Sequence, residues 1–233
     1  MITQNIKVMH ILKYTSLFLF IIICSYFTLN AQTAYTEVYP NYKVAIEKEK
    51  LDVKQYAGKY KGSILDYTYI KDDGSKVQLK SYSRNSEIEV FEFPPAPAIH
   101  IIYKVFYANG NLKEKGVFLP NQLKIGKWIE CNNNGDCTIT DVETGRNVVY
   151  GYNNVLEYME QENYYLNTNG NEWKCTFWHT PSSHTWGVRV DKNGQQYKMY
   201  TFDDKGEREV IENSADTSAS KPVPVIGTFE QKE

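Results

Sequence analysis

The sequence has 233 residues, with 26 basic and 28 acidic side chains, so its formal net charge at pH 7 is −2. No segment forms a basic stripe, which excludes the electrostatic footprint of a nucleic-acid-binding protein. Aromatic residues make up 14% of the chain, and tyrosine alone occurs 19 times. Together with β-branched residues and Asn-Gly or Asp-Gly turns, this composition favours β-sheet.

The first 31 residues have the pattern of an export signal. Lys7 and Lys13 precede an apolar run of 16 residues from Tyr14 to Leu29, and a small residue, Ala31, then precedes Gln32. The run is shorter than the roughly 20 residues that span a bilayer as a helix. We therefore expect cleavage near Ala31-Gln32 and a periplasmic or secreted chain. The alternative is an uncleaved anchor, and only such an anchor would contact a membrane.

Strand-like sequence is predicted from about residue 56. Before it, residues 32–50 are polar and mixed, and we expect this segment to be partly disordered. Residues 56–69 begin the β pattern, and Asp73-Gly74 is a hairpin signal between two strand-like stretches.

Glu87 to Phe93 has the alternating pattern of a strand. A strand would place Ile88, Val90 and Glu92 on one side, with the intervening side chains on the other. Three prolines within residues 94–97 then end the strand, because proline cannot donate a hydrogen bond to a sheet.

Two Asn-Gly pairs mark the next region as hairpins. Asn109-Gly110 and Asn134-Gly135 are 25 residues apart, and each is flanked by apolar or aromatic residues. Asn-Gly tolerates the positive φ angles of a type I′ turn, so we expect two such turns.

The stretch YANGNLKEKGVF, followed by GKWIE and NNNG, resembles the bacterial variant of the MORN repeat. Units of that repeat read aromatic, Asn-Gly, Leu, Gly, aromatic, then Gly-Lys-Trp. The matching positions, within residues 103–135, are Tyr107, Asn109, Gly110, Leu112, Gly116, Phe118, Gly126 and Trp128. The resemblance implies a twisted β-hairpin whose glycines let aromatic rings lie across the backbone, and a role in interaction or scaffolding.

The second copy of the MORN-like unit departs from the first. Cys131 stands where the first copy has Phe106, and Asp141 stands where it has Gly116. Asn121-Gln122 occupies a place where the family often has Asn-Gly. Because a free-standing repeat array needs about three stacked units, we expect these hairpins to be buried against their flanks.

The hydrophobic period changes after residue 150. Residues 153–162 place Val155, Leu156, Tyr158 and Met159 on one helical face, and Asn154 with Glu157 resembles a capping box. Three strands are predicted to follow, at 172–179, 185–191 and 196–202, the last two joined through Asn193-Gly194.

Three cysteines remain after residue 31: Cys131, Cys137 and Cys175. The first two bracket the NNNGD turn, and facing positions in antiparallel strands approach closely enough for a disulfide. In an oxidising compartment we expect this pair to be bonded. Two separate thiols, or a bond from Cys175 to one of them, are the alternatives.

Cys175, His179 and His184 suggest a zinc site, but strand geometry argues against it. Cys175 and His179 would lie about 13 Å apart on one face, too far for a single ion. We therefore expect no metal and no other cofactor, and interpret the histidines as paired surface imidazoles.

Four tryptophans, at 128, 173, 178 and 186, could line a ligand cleft or a protein interface. The alternative is that they cover the sheet where the helix docks. The candidate binding residues are Trp178, His179, His184 and Trp186.

We expect a mainly β (α+β) fold, in which antiparallel hairpins form a meander and one short helix packs on a C-terminal sheet. The expected divisions are a signal peptide (1–31), an N-terminal β region (32–99), a MORN-like hairpin module (100–145), a C-terminal helix with antiparallel strands (146–212) and a flexible tail (213–233).

The sequence contains no nucleophile elbow, phosphate-binding loop or HExxH motif, so we expect no enzyme. The predicted function is an exported interaction or scaffolding module of the cell envelope with a protein partner and no nucleic acid. A small-ligand or glycan binder with a Tyr/Trp-rich face, or an envelope hydrolase, is the alternative.

Overall fold

The computed structural model describes residues 33–146, 149–164 and 173–212, with Trp173 described by its backbone alone. Antiparallel strands dominate this part of the chain, and the expected mainly β fold with one short α-helix is confirmed. The elements are β1 (Ala34–Val38), β2 (Tyr42–Ile46), a 3-10 helix (Val53–Lys59), β3 (Tyr60–Lys61), β4 (Ile64–Ile70), β5 (Lys76–Ser81), β6 (Ile88–Phe93), β7 (Ile101–Phe106), β8 (Leu112–Leu119), β9 (Leu123–Cys131), β10 (Cys137–Asp141), α1 (Tyr152–Gln161), β11 (Trp173–Thr180), β12 (Thr185–Lys192), β13 (Gln195–Phe202) and β14 (Arg208–Glu212). The predicted signal, 1–31, and the predicted tail, 213–233, lie outside the described residues.

The largest element is an eight-stranded sheet in which β3 to β10 pair in simple chain order. Alternation in β6 is as predicted, since Ile88, Val90 and Glu92 are buried on one face. We call this the inner face. The boundary expected at residues 99/100 does not separate two structural units, because β6 pairs directly with β7 within this sheet.

Residues 34–46 form an ordered hairpin, which corrects the expectation of partial disorder for residues 32–50. Val38 and Ile46 are only 2% and 1% exposed and belong to the hydrophobic core. The Thr36 hydroxyl accepts a hydrogen bond from the Lys127 backbone N–H at 2.8 Å and lies 3.1 Å from the Lys127 carbonyl oxygen, to which it donates. The alternation in β1 is hard to read from the sequence, because its buried residues include the polar Thr36 and its exposed residues include Tyr35.

Charged residues, two of them buried and two partly buried, join the segment after β2 to the inner face of the large sheet. The Lys104 ammonium lies 2.8 Å from Glu49 and 3.7 Å from Glu92, and Lys115 also pairs with Glu49. Burial alone would raise the pKa of Glu49, but the two lysines outweigh it and hold that pKa below its ordinary value. These ion pairs hold Glu49 against β7 and β8.

The C-terminal sheet has four strands in the order β11 to β14. Three of them match the predicted strands within one or two residues. The fourth, β14, was missed because all five of its residues are exposed and it carries no alternating pattern.

Helix α1 packs on this C-terminal sheet through the predicted residues Val155, Leu156 and Met159, all of which are buried. The predicted capping box is wrong, because the helix begins at Tyr152 and not at residue 154. Asn154 instead lies inside the first turn, where its side chain accepts a hydrogen bond from the Gly151 N–H at 2.9 Å.

Asn121, in the turn between β8 and β9, connects the two larger sheets. Its side-chain amide donates to the Phe177 carbonyl at 2.9 Å, and its side-chain oxygen accepts from the Phe177 N–H at 3.0 Å. The Asn121 side chain therefore satisfies both the N–H and the C=O of Phe177, which lies in the edge strand β11.

Candidate functional site

Two glycines have a tryptophan ring lying across their backbone. A β-carbon on Gly116 would lie 2.1 Å from the indole of Trp128, and one on Gly187 would lie 2.1 Å from the indole of Trp178. Glycine is needed at both positions because any larger residue would displace the ring. The first pair belongs to the MORN-like stretch, and the second lies in the C-terminal sheet.

The other glycines of the MORN-like stretch are contact points for the N-terminal segment. A β-carbon on Gly126 would lie 2.2 Å from the Thr36 side chain, and one on Gly110 would lie 2.2 Å from the Leu51 carbonyl oxygen. The motif residues Leu112 and Phe118 are 3% and 8% exposed. In this chain the MORN-like stretch therefore packs against the N-terminal segment that contains Thr36 and Leu51.

The turns differ from the type I′ geometry that the Asn-Gly pairs predict. Gly110 and Gly135 have positive φ angles of 82° and 85°, whereas the asparagine before each of them does not. The Gly110 N–H donates to the Tyr107 carbonyl, as in a type I turn followed by a left-handed glycine. Positive φ at two successive residues occurs at Asn193-Gly194, the predicted turn between β12 and β13, and at Asn121-Gln122, where no glycine marks it.

The predicted disulfide is present, and Cys131 and Cys137 face each other across β9 and β10. The Tyr107 hydroxyl donates to the Cys131 carbonyl oxygen at 2.9 Å, so the disulfide hairpin is tied to the β7–β8 turn. Cys175 is a free, buried thiol. The disulfide is compatible with an oxidising, exported environment. None of the described helices is both long and apolar enough to cross a bilayer.

The four candidate binding residues of the C-terminal hairpin do not share one surface. Trp186 is completely buried, and His179 faces it at 5.0 Å between ring centroids on the same side of the sheet. Trp178 lies on the opposite side, across Gly187. A ligand-binding surface that combines them is therefore wrong.

The two histidines also differ from the expected imidazole pair, because the cross-strand partner of His179 is Trp186 and not His184. His184 lies in the turn, 3.2 Å from the Arg146 carbonyl oxygen. Burial, followed by the charge of Arg146, lowers the pKa of His179. Among the described residues, no group of three or more His, Cys, Asp or Glu could hold a metal ion.

A row of aromatic rings crosses the face of the large sheet that is opposite to the core. Ring centroids lie 5.1 Å apart for Phe91 and Tyr103, 5.0 Å for Tyr103 and Phe118, and 4.9 Å for Phe118 and Trp128. We call the side of the sheet that carries these four residues the outward face. The row spans β6 to β9. Phe91 faces Tyr103 across β6 and β7, and Tyr103 faces Gly116, on which Trp128 packs, so these rings share one side of the sheet.

A groove of about 980 Å³ opens at one end of this outward face. Its floor is formed by strands β5 to β8, and its rim is formed by the turns after β5, β7 and β9. Its lining includes Lys80, Tyr82, Glu87, Glu89, Tyr103 and Lys113. Tyr82 is the most accessible of the large side chains at the groove, with 82% of its surface exposed.

The charged groups of the groove are engaged by neighbours. Glu87 pairs with Lys113 at 2.6 Å, and this hydrogen bond raises the pKa of Lys113. Glu89 accepts a hydrogen bond from the Tyr103 hydroxyl at 2.7 Å. Burial, together with this bond, raises the pKa of Tyr103. Glu114, the remaining acid, pairs with a lysine on β9 at 2.6 Å.

The groove residues were not found from the sequence, although one signal for Tyr82 was present. Alternation along β5 directs Lys76, Gln78 and Lys80 outward, and the same period places Tyr82 on that side. A lone tyrosine in a polar stretch on the solvent side of a strand was the available clue. Its neighbours in the groove come from distant turns and required the fold.

A scan of the chain against models of known protein families found no match, and a search of curated proteins found none either.

Proposed function

We propose that the chain is an exported, non-enzymatic interaction module of the cell envelope, and that its binding surface is the outward face of the large sheet around the groove. The observation that carries this proposal is the groove with Tyr82 at its rim. An accessible aromatic ring beside hydrogen-bonding groups is typical of binding sites. The MORN-like stretch supports the same role, because its resemblance implies interaction or scaffolding.

The carboxylates of the groove support binding and not hydrolysis. A glycosidase needs one protonated and one ionised carboxyl group directed at the scissile bond. Here Glu87 and Glu114 pair with lysines, and Glu89 accepts a tyrosine hydroxyl. Each acid is thus engaged with the protein itself. The disulfide supports export, because such bonds persist in oxidising compartments.

The proposal is tested by cosedimentation of the chain, expressed from its full sequence, with isolated cell-envelope material. We expect saturable binding that Tyr82→Ala weakens. The matched control is Tyr35→Ala, since Tyr35 is also an exposed strand tyrosine, at 43%, but lies on β1 away from the outward face. Equal binding by both variants, or release of cleaved envelope fragments, would contradict the proposal.

A further inference from the structure

We propose that the groove on the outward face binds an uncharged glycan chain, with Tyr82 as the residue on which a sugar ring stacks. This inference rests on the proposed function, because it requires the outward face to be the binding surface. It goes further by naming the chemical class of the ligand and the groups that recognise it.

Tyr82 offers the apolar contact that a sugar ring needs. The axial C–H bonds of a pyranose form an apolar patch, and the face of an aromatic ring carries the negative part of its quadrupole. Tyr82 follows the last residue of β5 and keeps 82% of its surface exposed. A stacked sugar would therefore cover apolar area that water now contacts, which is favourable.

Amide side chains around the groove supply the polar half of the recognition. Asn85, Asn109 and Asn133 all line it, one from each of the three turns at its rim. None of their side-chain NH₂ groups has a hydrogen-bond partner within the described part of the chain. Each of these amides can donate to a sugar hydroxyl group, and Asn85 and Asn133 can also accept from one, whereas the Asn109 side-chain oxygen already accepts from the Asn111 N–H at 2.9 Å.

The charge of the groove argues against an anionic ligand. Lys80 and Lys113 are opposed by Glu87, Glu89 and Glu114, so the lining has one more acid than base. Phosphate, nucleic acid and acidic lipid headgroups require an excess of positive charge. An uncharged polyhydroxyl chain has no such requirement.

Two rings of the aromatic row, Phe118 and Trp128, are too well shielded to give a protein partner its usual apolar contact. Phe118 and Trp128 are 8% and 1% exposed. A stable protein interface buries about 800 Å² on each side and has an apolar centre. The groove volume of about 980 Å³ is at the upper end of the range of about 300–1,000 Å³ for small-molecule sites, which suits several sugar units.

The test is isothermal titration of the full chain with four neutral hexasaccharides: the β-1,4-linked oligomers of glucose, mannose and N-acetylglucosamine, and the α-1,4-linked oligomer of glucose. At least one should bind with a Kd below about 1 mM. Tyr82→Ala should weaken that binding about tenfold or more, and Tyr82→Phe should change it by less than about threefold, because the ring is kept. Tyr35→Ala is the control and should leave the affinity unchanged.

Two results would overturn the glycan inference. One is the absence of binding to all four oligosaccharides at about 5 mM, which is above the weakest affinity expected. The other is binding that Tyr82→Ala does not weaken. If envelope material still binds the chain through Tyr82 and a protein accounts for that binding, the proposed function stands and the glycan inference fails. If Tyr82→Ala affects neither assay, both fail.

Discussion

Replacement of Gly116 by alanine is expected to destabilise the large sheet strongly. The new β-carbon would lie 2.1 Å from the indole ring of Trp128, far inside van der Waals contact. Trp128 cannot easily move away, because it is 1% exposed and its Nε1–H donates to the Ile125 carbonyl at 3.1 Å. The ring of Phe118, with its centroid 4.9 Å from that of Trp128, restricts the indole further.

The magnitude follows from the cost of overpacking a well-filled region, which is typically about 1–3 kcal/mol. Since the indole is held by both packing and a hydrogen bond, we expect a loss of about 3 kcal/mol in the free energy of unfolding. For a domain of this size that corresponds to a decrease of about 6–12 °C in Tm.

Urea unfolding followed by tryptophan fluorescence measures this loss, with Gly58→Ala as the matched control. A β-carbon on Gly58 would meet no atom within 4 Å, and the φ angle there is not in the left-handed region. We expect that control to change stability by less than about 0.5 kcal/mol. In a Trp128→Leu background the cost of Gly116→Ala should fall. If Gly116→Ala costs no more than Gly58→Ala, the proposed packing of Trp128 on Gly116 is refuted.

Three further predictions concern a covalent link, a titrating group and a contact between sheets. Mass spectrometry of nonreduced peptides should show Cys131 linked to Cys137, and reduction should cost about 2 kcal/mol, because the closed loop is short; two alkylatable thiols there would refute the bond. His100 is 2% exposed, neither ring nitrogen has a hydrogen-bond partner among the residues that the structure describes, and burial lowers its pKa from 6.5 to about 4. Because the unfolded chain takes up this proton first, stability should fall by about 1.4 kcal/mol per pH unit from pH 6.5 down to about pH 4. His100→Phe should remove that part of the slope, and equal slopes in the two proteins would contradict the assignment. Asn121→Ala should cost about 2–3 kcal/mol in urea unfolding, since it removes both hydrogen bonds to the backbone of Phe177; a cost below about 0.5 kcal/mol would show that the contact contributes little.

Local patterns predicted those parts of the fold where one face of an element is apolar. The alternation around Val90 and the helical face around Leu156 are examples, and both residues are buried as expected. The segment around Val38 was missed because its apolar residues are few and because β8 and β9, the strands on which its hairpin packs, are distant in sequence. Lys115 could not be predicted to lie inside, since its burial depends on an ion pair with Glu49 that only the fold brings together.

At the candidate site, too, some features could be predicted from local sequence and others depend on the fold. The MORN-like glycines were identifiable from the sequence, but which atoms approach them depends on Thr36 and Leu51, which are far away in the chain. The pairing of His179 with Trp186 depends on strand register, which turn residues alone did not fix. The groove around Tyr82 is built from three separate turns, so no continuous stretch encodes it.

Amide hydrogen exchange of the full chain, with and without bound envelope material, tests the central claim most directly. If the outward face around the groove is the binding surface, exchange should slow in residues 80–89 and 103–114. It should remain unchanged in the exposed edge strand β14 and in the C-terminal hairpin at residues 173–192. Slower exchange confined to those C-terminal segments, with none around the groove, would contradict the account.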